Sequence, residues 1–143
     1  MKAFFVLSAL LFISFTLSSH ALRDQAVGAK GILKCGDKPA ENVIVKLMDK
    51  DTGLDPDDEL DKTTTGPDGS FKVQGFEKEL TNIDPQLKFY HNCNKGLNPC
   101  PRKWVILIPD KYITNGIVPL QHFDLGTVNL EVELEGETFD CIH

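Results

Sequence analysis

Short runs in which apolar and polar residues alternate, each closed by Gly, Pro, Asn or Asp, recur along this chain and restrict it to a β architecture. Asn42 to Asp49 sets Val43, Val45 and Leu47 on one face against Ile44, Lys46 and Met48. Ser70 to Phe76 opposes Phe71 and Val73 to Lys72 and Gln74. Leu87 to Cys93 opposes Leu87, Phe89 and His91 to Lys88, Tyr90 and Asn92, and Phe123 to Leu134 alternates again. Gly28 to Cys35 passes as a first strand, closed by the turn signal Gly36-Asp37-Lys38-Pro39. The run Lys103 to Ile108, bounded by Pro101 and Pro109, reads as a strand buried on both faces. Thr63 to Phe71 reads as a hairpin, because Pro67 fixes φ and Gly69 accepts positive φ between two β-prone stretches. The acidic stretch Lys50 to Lys62 reads as a solvated, mobile loop. Glu77 to Asp84 reads as a polar connection holding a short helical turn before Pro85, and Asn94 to Pro101 as a loop. About seven strands result, the spacing of an all-β sandwich.

The N-terminus fixes the expected compartment. Lys2, the apolar run Ala3 to Leu17 and Ser19-His20-Ala21 have the order of a secretory signal peptide, residues 1–21, cut after Ala21. The run breaks at Ser18-Ser19, short of the roughly 20 apolar residues that span a bilayer. No later stretch is long and apolar enough to do so. Cleavage leaves 22–143 as one domain, and loss of Lys2 moves the formal charge from −6 to −7. Such an acidic chain repels phosphate overall, which argues against nucleic acid as a partner. Four cysteines, Cys35, Cys93, Cys100 and Cys141, form two disulfides in an exported chain, with three connectivities open.

Candidate sites are few. His91, His122 and His143 are widely spaced, and no Gly-x-Ser-x-Gly, His-Glu-x-x-His or Cys-His pair joins a nucleophile to a base, so no catalytic residues and no cofactor are expected. A helix-loop-helix calcium loop started at Asp49 puts Gly53 at position 5 instead of 6 and Leu60 at position 12, where Glu is required. A looser cation site on Asp55, Asp57, Asp58 and Asp61 competes with the plainer reading of a charged, hydrated loop. Zinc on Cys93, Cys100 and His91 is disfavoured, since exported thiols oxidise and no Cys-x-x-Cys is present, so no metal is expected. One charge reversal stands out. No Asp or Glu lies between Asp84 and Asp110, while Lys88, Lys95, Arg102 and Lys103 do. Gathered at one end of a sandwich they form an anion- or partner-binding surface, each worth about 1 kcal/mol beside an anionic membrane. Strand alternation, by separating Arg102 from Lys103, would instead scatter them. No Asn-x-Ser/Thr sequon occurs.

Read together, Cys35-Gly36 with Lys38-Pro39-Ala40, Val43 to Leu47, Thr65 with Asp68-Gly69-Ser70-Phe71, Asp84-Pro85, Tyr90-His91-Asn92-Cys93, Ile108 to Ile113, Asp124 to Glu131 and Asp140-Cys141-Ile142-His143 closely resemble the nematode transthyretin-like family, from about Gly31 onward. The resemblance implies a transthyretin-like, Ig-like two-sheet β-sandwich with two disulfides, and secretion. Some members are described as extracellular bridging molecules, the best known an adaptor between phosphatidylserine on dying cells and a phagocyte receptor. Transthyretin-like hydrolases of the purine pathway carry a C-terminal Tyr-Arg-Gly-Ser signature, which is absent here.

Cys93 and Cys100 flank a six-residue loop between consecutive strands and are paired on that ground. In transthyretin-like sandwiches the first strand lies beside the strand at Phe123, which implies Cys35 with Cys141, closing a ~106-residue loop worth about 4 to 5 kcal/mol against roughly 2 to 3 for the short one. Cys35 with Cys93 and Cys100 with Cys141 stands as the alternative. The functional expectation is a secreted, non-enzymatic binding or adaptor protein that recognises an anionic lipid or a cell-surface receptor through loops at one end. A carrier of a small apolar ligand, which needs an oligomer with a central channel, is the first alternative. A 5-hydroxyisourate hydrolase is the second.

Overall fold

The computed structural model describes residues 21–143. The expected leader therefore lies outside the described residues apart from Ala21. Ten strands follow in order: β1 (Arg23–Cys35), β2 (Lys38–Pro39), β3 (Ile44–Asp49), β4 (Asp58–Thr64), β5 (Ser70–Glu79), β6 (Pro85–His91), β7 (Arg102–Leu107), β8 (Thr114–Asn115), β9 (Phe123–Asn129) and β10 (Thr138–Phe139), with one 3₁₀ turn at Asp110–Tyr112. Three of the ten are two-residue bridges, leaving seven strands of six residues or more, as the alternation implies.

The first sheet is organised on β1, which is longer than its apolar pattern indicates. β5 pairs antiparallel along Arg23 to Ile32, β9 runs parallel along Ala29 to Lys34, and β2 and β8 pair with its ends. The second sheet has the order β10-β7-β6-β3-β4, antiparallel throughout. The inward residues of three strands are those the period-2 pattern singles out, Phe71 and Val73 from β5, Val45 and Leu47 from β3, and Leu87 and Phe89 from β6, and β1 adds Val27, Ala29 and Leu33. Phe71 meets Phe89 edge-on at 5.6 Å between ring centroids and joins the two sheets, while Phe89 stacks on Trp104 across the β6–β7 pair.

Four local expectations are corrected. Thr63 to Phe71 does form a tight turn, with Gly69 N–H donating to Gly66 O (2.9 Å) and Asp68 Oδ1 accepting from Ser70 N and Oγ. It is no hairpin, however: β4 pairs with β3 and β5 with β1, so the turn carries the chain from one sheet to the other. Turn chemistry is local and cannot report which partner each arm finds. The acidic stretch is a loop only to Asp57. From Asp58 it is β4, an edge strand whose polar outer face suits its position. Glu77 to Asp84 holds no helical turn, because β5 runs on to Glu79. Lys103 to Ile108 is not buried on both faces. β10 covers only Arg102 and Lys103 of β7, and Leu107 is 67% exposed.

Gly69 marks the crossing point. It has φ +78°, and a Cβ there would stand 2.2 Å from the Leu33 carbonyl oxygen, a backbone atom that cannot swing aside. Gly69→Ala is expected to cost about 2 kcal/mol or more through strain and displacement of β1, read as a shift of the urea midpoint. An unchanged midpoint would refute this packing.

Candidate functional site

The end of the sandwich where β1 and β6 terminate concentrates the features that ordinary packing does not require. Alternation carries Leu33 and Cys35 inward from β1 and Phe89, His91 and Cys93 inward from β6. The two thiols therefore face each other across the sheets and form the bond Cys35–Cys93, with Cα atoms 5.8 Å apart. After Leu130 the chain leaves the first sheet, returns as β10 beside β7, and anchors Asp140 N–H on Pro101 O, which sets Cys141 against Cys100. The pairing Cys93–Cys100 with Cys35–Cys141 is thus overturned in favour of the alternative. Adjacency of β1 and β9 is real, but the tail crosses to the other sheet before Cys141. All four sulfurs are in disulfides, leaving no thiolate for zinc.

Arg102 lies inside this end. Its guanidinium donates to the carbonyls of Cys93 (2.8 Å), Leu130 (2.7 Å) and Val132 (2.8 Å) and pairs with the Glu137 carboxylate, whose side chain is 4% exposed. One side chain ties the β6 exit, the β9 exit and the tail together. Beside it, His91 Nδ1 accepts from Cys93 N–H (3.2 Å), and Nε2 stands 3.5 Å from Glu137 Oε1 without a hydrogen bond. Burial lowers the His91 pKa, Arg102 lowers it further, and Glu137 opposes both. The folded protein therefore holds His91 neutral where the unfolded chain would take a proton. Its contribution is complete above the ordinary histidine value and drains away as pH falls below about 6.5, by at most about 1.4 kcal/mol per pH unit. His122, lowered by burial and by Lys72 and Lys30, acts in the same sense. Urea midpoints measured from pH 7.5 to 5 should fall less steeply for His91→Asn than for the wild type, and an equal slope would exclude His91 as the source.

The four basic residues do not form one surface. Arg102 faces inward. Lys88 and Lys103 share the outer face of the second sheet, where Lys88 Nζ pairs with Asp57 (2.7 Å) and Lys103 Nζ with Asp140 (3.0 Å). Those contacts hold the Asp57 and Asp140 carboxyls below the usual carboxylate range. Lys46 pairs with Glu59 on the same face. The acidic stretch and the basic block, read separately along the chain, are thus partners across one sheet. Lys95 alone among the four has no carboxylate within 4 Å among the described residues. Nor do any three His, Cys, Asp or Glu side chains among the described residues converge as metal ligands.

Lys95 lines an open groove of about 560 Å³ beside the Cys35–Cys93 bond, between the β2–β3 connection and the end of β6. Its walls include Asn42, Tyr90, Pro99, Pro101 and His143, the last stacked on Tyr90 at 4.5 Å. Asn42 (φ +61°) in this groove and Asn94 (φ +49°) next to Lys95 are the non-glycine residues with positive φ among the described residues, both in turns, where asparagine tolerates that conformation. Sequence reasoning missed this groove, because its walls come from four separated segments.

The family model for the Transthyretin-like family matches residues 30–109. Transthyretin-like protein 33 of Caenorhabditis elegans is 44% identical over 133 residues, covering 93% of this chain and 93% of that protein. Transthyretin-like protein 5 of the same animal is 42% identical over 136 residues, covering 94% and 98%. Transthyretin-like protein 46 is 47% identical over 131 residues, covering 91% and 70%. With the expected two-sheet sandwich and its two disulfides now described, these matches establish that the chain belongs to the transthyretin-like family.

Proposed function

We propose that this is a non-enzymatic extracellular binding protein that recognises a cell-surface protein through the groove at its disulfide-bonded end. The single observation that carries the reading is that groove: an open cleft of about 560 Å³, braced by a disulfide, with Lys95 as a cation that has no carboxylate within 4 Å among the described residues. A membrane-docking surface needs several basic residues free at once. Here Lys88 and Lys103 are spent on Asp57 and Asp140 and Arg102 is interior, which favours a protein receptor over an anionic headgroup.

The test is binding of the labelled protein to intact cells before and after surface proteolysis, beside sedimentation with phosphatidylserine and phosphatidylcholine liposomes at low and physiological salt. Protease-sensitive binding that Lys95→Glu weakens, with no preference for phosphatidylserine, supports the reading. Protease-resistant binding with salt-sensitive selectivity for phosphatidylserine would overturn it in favour of the lipid.

A further inference from the structure

Alternation places Tyr90 on the outer face of the second sheet, opposite Lys103 of β7 and Ile44 of β3. A ring on that face would ordinarily lie open to solvent, yet Tyr90 is only 5% exposed. Its cover is the tail. The His143 ring lies over it at 4.5 Å between centroids and 18° between planes, and the Lys46 and Lys103 ammonium groups stand 5.9 Å from the same phenol ring. The stack is all that fixes the His143 side chain. Among the described residues its ring makes no hydrogen bond or salt bridge, and the nearest anchor is Ile142 N–H on Asp140 Oδ1 (2.8 Å). Ile142 is 90% exposed and adds no packing, and the Cys100–Cys141 bond holds the tail two residues before His143. His143 can therefore swing clear of Tyr90 while the fold stays as it is.

We infer that the Tyr90 face is a subsite of the groove for one uncharged aromatic side chain of the partner protein, and that His143 occupies it in the free protein. The inference rests on the binding reading above and names the side chain the partner brings. Tyr90 and His143 both line the groove, so a segment bound along it reaches the ring. The chain's own residue shows the chemistry that fits, a flat ring laid nearly parallel to the phenol. A guanidinium also stacks on aromatic rings, but here it would meet the Lys46 and Lys103 ammonium groups at close range. Those lysines are paired with Glu59 and Asp140, which leaves no free charge to draw an anion. An aliphatic side chain would cover the phenol without the stacking that His143 supplies. One such stack shifts an equilibrium by a factor of roughly 2 to 13, so the subsite is closed most of the time without being locked. The partner's apparent affinity is reduced by that closed fraction, and removal of the His143 ring restores it.

The experiment follows the ring signals of isotopically labelled protein during titration with Ac-Gly-Trp-Gly-NH2, with the leucine and arginine counterparts as separate arms. Tyr90 and Tyr112 are the two tyrosines of the chain, and Tyr112, packed on Phe123, is the internal control. Saturable shifts of Tyr90 with the tryptophan peptide are expected, and His143→Ala should tighten that binding about three- to tenfold. His143→Phe, which keeps a ring over Tyr90, should not. His143 is exposed, so neither variant disturbs the core. No saturable shift at Tyr90, equal shifts with the leucine or arginine peptide, or an affinity unchanged or weakened in His143→Ala would each overturn the assignment. Protease-sensitive cell binding that Lys95→Glu weakens and His143→Ala leaves unchanged would reject the subsite while the proposed function stands. Tryptophan-peptide binding that tightens in His143→Ala, in a protein with no protease-sensitive cell binding, would keep the subsite and reject the receptor reading.

Discussion

Replacing Arg102 with leucine should destabilise the protein by about 3 to 5 kcal/mol, the range for removing one partner of a buried ion pair. Three carbonyls, from Cys93, Leu130 and Val132, would lose their donor, and Glu137 would keep a buried charge with no cation beside it. For a domain whose whole stability is about 5 to 15 kcal/mol, that is a fifth or more. The double variant Arg102→Leu with Glu137→Leu should recover part of the loss, because it removes the orphaned charge. Urea denaturation of the three variants gives the coupling directly. A loss below about 1 kcal/mol for Arg102→Leu would mean that water reaches this end and that the side chain is not the tie between β6, β9 and the tail.

The two disulfides should be of nearly equal value. Cys35–Cys93 closes a loop with a sequence separation of 58 and Cys100–Cys141 one of 41, which in the chain-entropy model are each worth about 4 kcal/mol. The rejected connectivity would instead give one strong and one weak bond. Cys35→Ser with Cys93→Ser, and Cys100→Ser with Cys141→Ser, should therefore lower the unfolding free energy by similar amounts. Non-reducing peptide mapping should recover Cys35 linked to Cys93. The bond between the sheets also braces the proposed recognition groove, so its loss should weaken cell binding more than loss of the tail bond. Equal effects on binding would detach the groove from that brace.

Much of the fold is legible residue by residue. Val43, Val45 and Leu47, Phe71 and Val73, and Leu87 and Phe89 are core residues, as their spacing requires. The pairing of Cys93 with Cys100 rests on the shortness of their loop, a measure of proximity along the chain that is silent about direction, whereas in the fold Cys35 and Cys93 end β1 and β6 facing each other. Trp104 to Leu107 looked buried because four large apolar residues in a row resemble a central strand. Only the pairing shows that β10 reaches just two residues of β7.

Side-chain alternation, a local property with a period of two, made the β class, most of the principal strands and the inward residues of β3, β5 and β6 legible, and the quoted motifs carried the family. The tertiary structure decided which sheet each strand joins, where the tail crosses, and what becomes of charge. Lys88 meets Asp57, Lys103 meets Asp140 and Arg102 meets Glu137 over sequence separations of 31 to 37 residues. Whether a charge is free to bind depends on what stands within a few ångströms of it, and those neighbours are assembled only by long-range pairing. The groove has the same origin. It is a gap between segments whose separate sequences carry no trace of each other.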